Sequence, residues 1–385
     1  MRLLKIGVYY TAYLHQFYAR HPGLAAESYA AQHASLVEDC FGSSDFWTKA
    51  LTDLGYETCD LIANAEPLQR MWAAERGQAF DEEDWLFAIT EAQVRDFCPE
   101  VLIVADYSTM TAAFLRRLRD VCPSLRLVLG WCGAPYNDGS VFGEWDVVLS
   151  CVPELVSHFR EAGRQSRHVN HAFEPRVLEK LGEREDATVA DFIFIGSVVK
   201  SERFHLGREK LLSRLVEETD LLIRSEVGPP PLSRVRRAAR RLLGRPAMSP
   251  AQPSVDARIA RRARPPLFGL DMFRQLRASR VALNTHIDIS THSASNMRLF
   301  EATGVGTCLL TDWKENLGDL FEPDAEVVAY RDAEECVEKV KYLLGHDARR
   351  RDIAAAGQRR TLRDHTFESR AALIDDIIRE ELSNG

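Results

Sequence analysis

Two stretches of this chain carry the residue types best able to do chemistry. In "DFIFIGSVVKSERF" an apolar run ends at Gly196 and Ser197 and gives way to a polar loop holding Lys200 and Arg203. Glycine lets the backbone approach a ligand closely, a hydroxyl and free amides hold phosphate oxygens, and lysine or arginine supplies countercharge. No G-x-x-x-x-G-K-[ST] is present, so this is not a P-loop, and a plain turn is the competing reading. In "LNTHIDISTHSASNMRLFEATG" a strand ends in Asn284, and a polar loop follows with His286, Asp288, His292 and Asn296. Arg298 and Glu301 then sit on a short helix read over residues 297 to 302.

A helix beginning near Asn296 offers free amides to an anion, reinforced by Arg298. Glu301 can accept two hydrogen bonds from vicinal hydroxyls such as those of a ribose. The competing reading is a surface ion pair between Arg298 and Glu301, three apart on one helix and worth little. His286, His292 and Asp288 lack a further well-spaced ligand, so no metal is expected. A phosphate grip and a diol-binding carboxylate at two strand ends of one domain describe a nucleotide-diphosphate sugar. No G-x-G-x-x-G follows the first strand, "KIGVYY", which argues against a dinucleotide.

These residues must be positioned by a sheet. A chain of 385 residues suggests two domains at about 150 residues each. Strand-like runs alternate with helical stretches: "LKIGVYY", "YETCDLIA", "EVLIVADYS", "LRLVLGW", "WDVVLSC" and "SRHVNHAF" form a first series. "DFIFIGS", "TDLLIRS", "SRVALNTH", "GTCLLTD" and "EVVAY" form a second. Such alternation predicts two α/β, doubly wound domains with ligands at the carboxyl ends of their strands. The boundaries fall at 1–178 and 186–362, with a terminal helical stretch, 363–385, expected to pack across the domains.

An arginine- and proline-rich insertion, 228–266, interrupts the second domain. Arg234, Arg237 and Arg241 recur at helical spacing beside Val235, Ala238, Leu242 and Leu243. That pattern fits either a solvated insertion or a basic helix on an anionic membrane, through residues 233–264. The net charge of −8 argues against a nucleic-acid partner. The eight cysteines have no metal-ligand spacing and read as reduced and mostly buried. No apolar stretch spans a bilayer and the start does not read as a signal peptide, so a cytoplasmic location is expected, with peripheral contact at the inner membrane face as an open addition.

In "SNMRLFEATGVGTCLLTDWKENLGDLFEPDAEVVAYRDAEECVEKVKYLL" and "RRDIAAAGQRRTLRDHTFESR", with "PPLFGLDMF" and "LNTHIDI" upstream, the sequence resembles bacterial group 1 glycosyltransferases, in the CgeB-like branch. The first half matches loosely, through "WDVVLSCVPELVSHFREAG" and "NHAFEPRVL". The resemblance implies a GT-B fold: two Rossmann-like domains facing a central cleft, donor in the C-terminal one, acceptor in the N-terminal one, no cofactor and no required metal. It places Glu301 at the donor ribose, as the second glutamate of an E-x7-E motif, Gly196 and Ser197 near the diphosphate, and Gly269 to Met272 beside the nucleobase. The first glutamate of that motif falls on Ser293, a departure that leaves the stereochemical outcome open.

On the acceptor side, strand ends offer Tyr10, Tyr107 and Trp131, with His171 and Asp106 as catalytic candidates. An imidazole can exchange protons near neutral pH. Asp106 could equally cap the following helix, and His171 could be held by a backbone carbonyl. The expected activity is transfer of a sugar from a nucleotide sugar to a hydroxyl of a glycan, a lipid-linked precursor or a protein. Two rivals stand beside it: a nucleotide-sugar epimerase, and a non-catalytic scaffold docking through the basic segment.

Overall fold

The computed structural model describes residues 1–183, 188–198, 205–225 and 255–384. The chain forms two compact units: residues 1–177, 268–270 and 364–385, and residues 178–267 with 271–363.

The first unit is built on six parallel strands: β1 (Arg2–Gly7), β2 (Glu57–Ile62), β3 (Val101–Val104), β4 (Leu127–Trp131), β5 (Val147–Ser150) and β6 (Ser166–His168). They lie in the order β2-β1-β3-β4-β5-β6. The strands are short and rich in Val, Ile and Leu because helices cover both faces; all four residues of β3 are buried, and Leu3, Leu4 and Ile6 of β1 are fully so. The last helix, Phe367–Asn384, buries Ala371, Ile374, Ile377 and Ile378 and belongs to this unit. Phe367 meets Phe46 and Trp47 with ring centroids 5.1 Å away in each case, and the Tyr56 hydroxyl donates to Asp375 at 2.6 Å.

The second unit also has six parallel strands: β7 (Ala190–Ile195), β8 (Leu222–Arg224), β9 (Ala263–Arg264), β10 (Ser279–Asn284), β11 (Cys308–Asp312) and β12 (Val328–Tyr330). Their order is β12-β11-β10-β7-β8-β9. The winding reverses between β7 and β10, so the crevice beyond the ends of those two strands is the topological switch point, where open α/β sheets take their ligands. β7 runs into Gly196 and Ser197, and β10 into Thr285 and His286.

β9 comes from the end of the arginine-rich insertion, which is therefore not wholly foreign to the fold. Ala263 and Arg264 register with Ile223 and Arg224, and Ile259, on the preceding helix Ala257–Arg262, is fully buried in the core. Arg258 pairs with Asp256 and Glu217, and Arg262 with Asp220. Arg234, Arg237 and Arg241 lie outside the described residues. Among the described residues no helix is long and apolar enough to cross a membrane.

Short contacts seat the helix Arg298–Gly304, which carries Glu301. The Thr303 hydroxyl lies 2.6 Å from that of Thr361, and Gln358 donates to Gly304 O at 2.9 Å. Gly357, the residue before Gln358, lies so close to the chain that an added Cβ would stand 2.4 Å from Glu326 O and 3.4 Å from Thr303 Cγ2. Gly357→Ala should therefore cost about 1–3 kcal/mol through overpacking, seen as a lower urea midpoint. Gly345→Ala, where a Cβ meets nothing within 4 Å, is the control and should leave the midpoint in place.

Candidate functional site

A buried arginine ties the two strand ends of the switch point together. Arg208 stands in the first turn of the helix Leu206–Glu218. Its Nη1 donates to Ser197 O at 2.8 Å and to His205 Nε2 at 2.7 Å, and its Nη2 donates to Thr285 O at 2.7 Å. Burial draws this guanidinium down to about 10, against the opposing pull of Asp312, Tyr330 and Asp288, so it stays charged at neutral pH. Sequence reading missed it, because "LGREKLLSRL" has the spacing of an amphipathic helix in which arginine belongs on the wet face. Lys200 and Arg203, the cations the sequence did suggest, lie outside the described residues.

The polar loop after β10 is pinned along its length. Asn284 is fully engaged: its Nδ2 donates to Thr311 Oγ1 at 2.9 Å, and its Oδ1 accepts from Asn296 Nδ2 at 2.7 Å. Asn296 also reaches Thr285 O at 3.4 Å, so Arg208 and Asn296 share one carbonyl. His286 Nδ1 lies 2.7 Å from Asp312 Oδ1, and the His286 amide donates to the same carboxylate at 3.2 and 3.3 Å. Burial acts to raise the Asp312 carboxyl, but His286 and Lys314 outweigh it and hold the group below its usual value. Asp312 was also missed, though a strand ending in a polar residue, as "VALN" and "CLLTD" both do, was the available signal.

Arg298 and Glu301 form an ion pair of 2.9 Å with side chains only 15% and 9% exposed, so it is not the solvated surface pair that would contribute little. Arg298 Nη1 also lies 3.2 Å from Met272 Sδ, which joins Met272 to this corner. The start of their helix is less open than expected. The amides of Leu299 and Phe300 face Asn296 O and Met297 O at 3.3 and 3.0 Å, so they are not free for an anion. The neighbouring helix start is occupied too: the amides of Leu206 and Gly207 hold the Asp288 carboxylate at 2.7 and 3.2 Å. Gly269 is placed by the first unit: φ is +54°, and an added Cβ would stand 2.3 Å from Asp39 Oδ2.

Four buried polar atoms around this rim have no hydrogen-bond partner among the described residues: Arg208 Nε, His286 Nε2, Asn296 Oδ1 and Arg298 Nε. Leaving such an atom unsatisfied costs about 1–3 kcal/mol, which a polar ligand with matching groups would recover. Three are nitrogens and one is an oxygen, a set suited to a ligand rich in oxygens and hydroxyls. Among the described residues no cluster of His, Cys, Asp or Glu is arranged to hold a metal ion.

In the first unit, Tyr10 is 69% exposed and sits edge-on to Phe41 and Phe268. Tyr107 donates to Pro135 O at 3.2 Å. Asp106 accepts from Ser108 N at 2.9 Å, Thr109 N at 2.6 Å and Ser108 Oγ at 2.9 Å, and so holds its own turn; the helix beyond is capped by Thr111. Trp131 and His171 are brought together, with ring centroids 5.1 Å apart, and Trp47 packs on the other partner, Trp131, at 6.1 Å.

Residues 232–376 match a sequence family described as glycosyl transferase-like. No curated protein matches the chain. Among solved structures, sucrose-phosphate synthase from Thermosynechococcus elongatus is 13% identical with a TM-score of 0.58, over 100% of both chains. HepE of Anabaena in complex with UDP-glucose is 10% identical with a TM-score of 0.56, over 99% of this chain and 100% of that one. A Listeria monocytogenes protein described as a UDP-N-acetylglucosamine 2-epimerase is 10% identical with a TM-score of 0.50, over 100% and 97%. At these identities the likeness is one of fold, and with the two parallel sheets it makes this a two-domain GT-B protein.

Burial, followed by the charge of Arg370, pushes His171 from 6.5 down to about 4. The folded protein therefore keeps this ring neutral while the unfolded chain, with its ordinary value, takes up a proton between pH 6.5 and 4. The stability this contributes is complete above pH 6.5 and is lost as the pH falls toward 4, by roughly 3 kcal/mol at most. Thermal unfolding at pH 7.5 and pH 5 should show a smaller loss for His171→Gln than for the wild type; an equal loss would assign the acid sensitivity elsewhere.

Proposed function

We propose that this chain transfers a sugar from a nucleotide-diphosphate sugar to a hydroxyl acceptor: a glycan, a lipid-linked precursor or a protein. The observation that carries the reading is the switch point of the second sheet, where Arg208 joins the ends of β7 and β10 beside the buried Arg298–Glu301 pair. In this reading domain 186–362 takes the donor and domain 1–178 the acceptor. Gly196, Ser197 and the cation Arg208 face the diphosphate, Glu301 takes the ribose hydroxyls, and Met272 and Gly269 border the base. Fixed positive groups stabilise the charge that develops on a departing diphosphate, the part a metal ion plays elsewhere, so transfer here is metal-independent. The glycosyl transferase-like match and the UDP-glucose bound to a protein of like fold support this choice.

On the acceptor side Tyr10, Tyr107 and Trp131 line the sugar or aglycone, and a neutral His171 is available to take the acceptor's proton. Asp106 keeps a supporting place in that scheme. The enzyme works in the cytoplasm, with the arginine-rich segment 233–264 available to meet an anionic membrane surface.

A nucleotide-sugar epimerase is the second reading, favoured by the Listeria neighbour and by Ser293, which stands where retaining group 1 enzymes carry a glutamate. Free nucleotide and free sugar released without any acceptor would favour it. The first test is calorimetric titration with UDP, GDP, dTDP and ADP. One nucleotide should bind, with Glu301→Ala weakening it at least tenfold, about 1.4 kcal/mol. Binding of none at millimolar concentration would overturn the donor site.

A further inference from the structure

His286 has the geometry of an oriented hydrogen-bonding group with one end unused. It follows Thr285, whose carbonyl receives Arg208 and Asn296, so it stands at the same strand end as the groups of the donor site. Its ring is 1% exposed, its Nδ1 is held by Asp312 at 2.7 Å, and its Nε2 has no partner among the described residues. Asp312 also accepts from the His286 backbone and lies 3.4 Å from Lys314, an arrangement that keeps the carboxylate ionised and in place. A carboxylate on Nδ1 favours the tautomer with its proton there, and in that tautomer Nε2 is an acceptor.

An acceptor needs a ligand that donates. Phosphate oxygens of an ionised diphosphate only accept, and they match the unpartnered Nε atoms of Arg208 and Arg298 instead. A hydroxyl donates. Glu301 supplies the acceptor for the ribose, which leaves the hydroxyls of the transferred sugar. We propose that His286, oriented by Asp312, accepts a hydrogen bond from a hydroxyl of the sugar carried by the bound nucleotide. This assignment rests on the donor reading above. It makes His286 a determinant of which sugar is accepted, and Asp312 the residue that positions it.

Titrations with matched probes, UDP with UDP-glucose, GDP with GDP-mannose, dTDP with dTDP-glucose and ADP with ADP-glucose, separate the two claims. For the pair that binds the wild type, His286→Phe should weaken the nucleotide sugar about tenfold and leave the diphosphate within twofold. His286→Gln, which offers an amide oxygen as acceptor, should recover part of the difference. Parallel losses for sugar-bearing and sugar-free probes, or no loss at all, would overturn the assignment while leaving the donor site standing. Failure of every probe on the wild type would remove the donor site itself.

Both variants replace a buried ring, so a measurement on the wild type guards against misfolding. In 15N-histidine spectra a ring of the Nδ1–H tautomer should shift at Nε2 on adding the nucleotide sugar and not on adding the diphosphate; Asp312→Asn should weaken that tautomer. An unchanged Nε2 signal with the nucleotide sugar bound would overturn the proposal.

Discussion

The arrangement at the second sheet depends on one buried cation. Parallel strands that diverge at a switch point leave carbonyls at the crevice, and a carbonyl withdrawn from water needs a donor. Arg208 answers for both sides at once, at Ser197 O and Thr285 O, with a planar group whose donors point in several directions. A lysine, with one compact charge, could not bridge them in the same way. The guanidinium loses solvation in doing so, and the acidic neighbours Asp312 and Asp288 offset part of that loss.

From that tie the remaining order follows outward. Thr285 is fixed by Arg208 and Asn296, Asn296 by Asn284, and Asn284 by Thr311 on the next strand. His286 and Asp312 repeat the link between β10 and β11 one step further along. The loop beyond is held by Lys314 at Ser290 O and by Asn316 at Ala294. A loop of this length would ordinarily be loose. Here each bend is fastened to the strand end beside it, so Arg298 and Glu301 enter their helix from a defined direction.

Much of this was legible in the sequence, for identifiable reasons. Period and turn residues gave the strands, because parallel strands buried on both faces read as apolar runs: "DFIFIGS" became β7 and "GTCLLTD" became β11. Arg298 and Glu301 were readable because they share one helix turn. Asp312 was not readable as the partner of His286, since 26 residues separate them and only the pairing of β10 with β11 brings them together. Arg208 was hidden by periodicity, which reports a helix face and not what lies against it. β9 was hidden by composition: two residues at the end of an arginine-rich run carry no strand signal, and the register with β8 supplies what propensity does not.

The pairing of β8 with β9 has a topological consequence. The chain leaves the sheet after Arg224 and returns at Ala263 on the neighbouring strand, with Ser225 N bonded to Arg264 O at 3.2 Å and Asp256 N to Glu209 Oε1 at 2.8 Å. The arginine-rich segment is thus moored at both ends to one edge of the second unit. Closing a long connection between two neighbouring strands costs chain entropy, and the pairing of β8 with β9 must offset it. The returning chain is thereby fastened to the helix Leu206–Glu218, which carries Arg208, through Asp256 on Glu209 and Arg258 on Glu217.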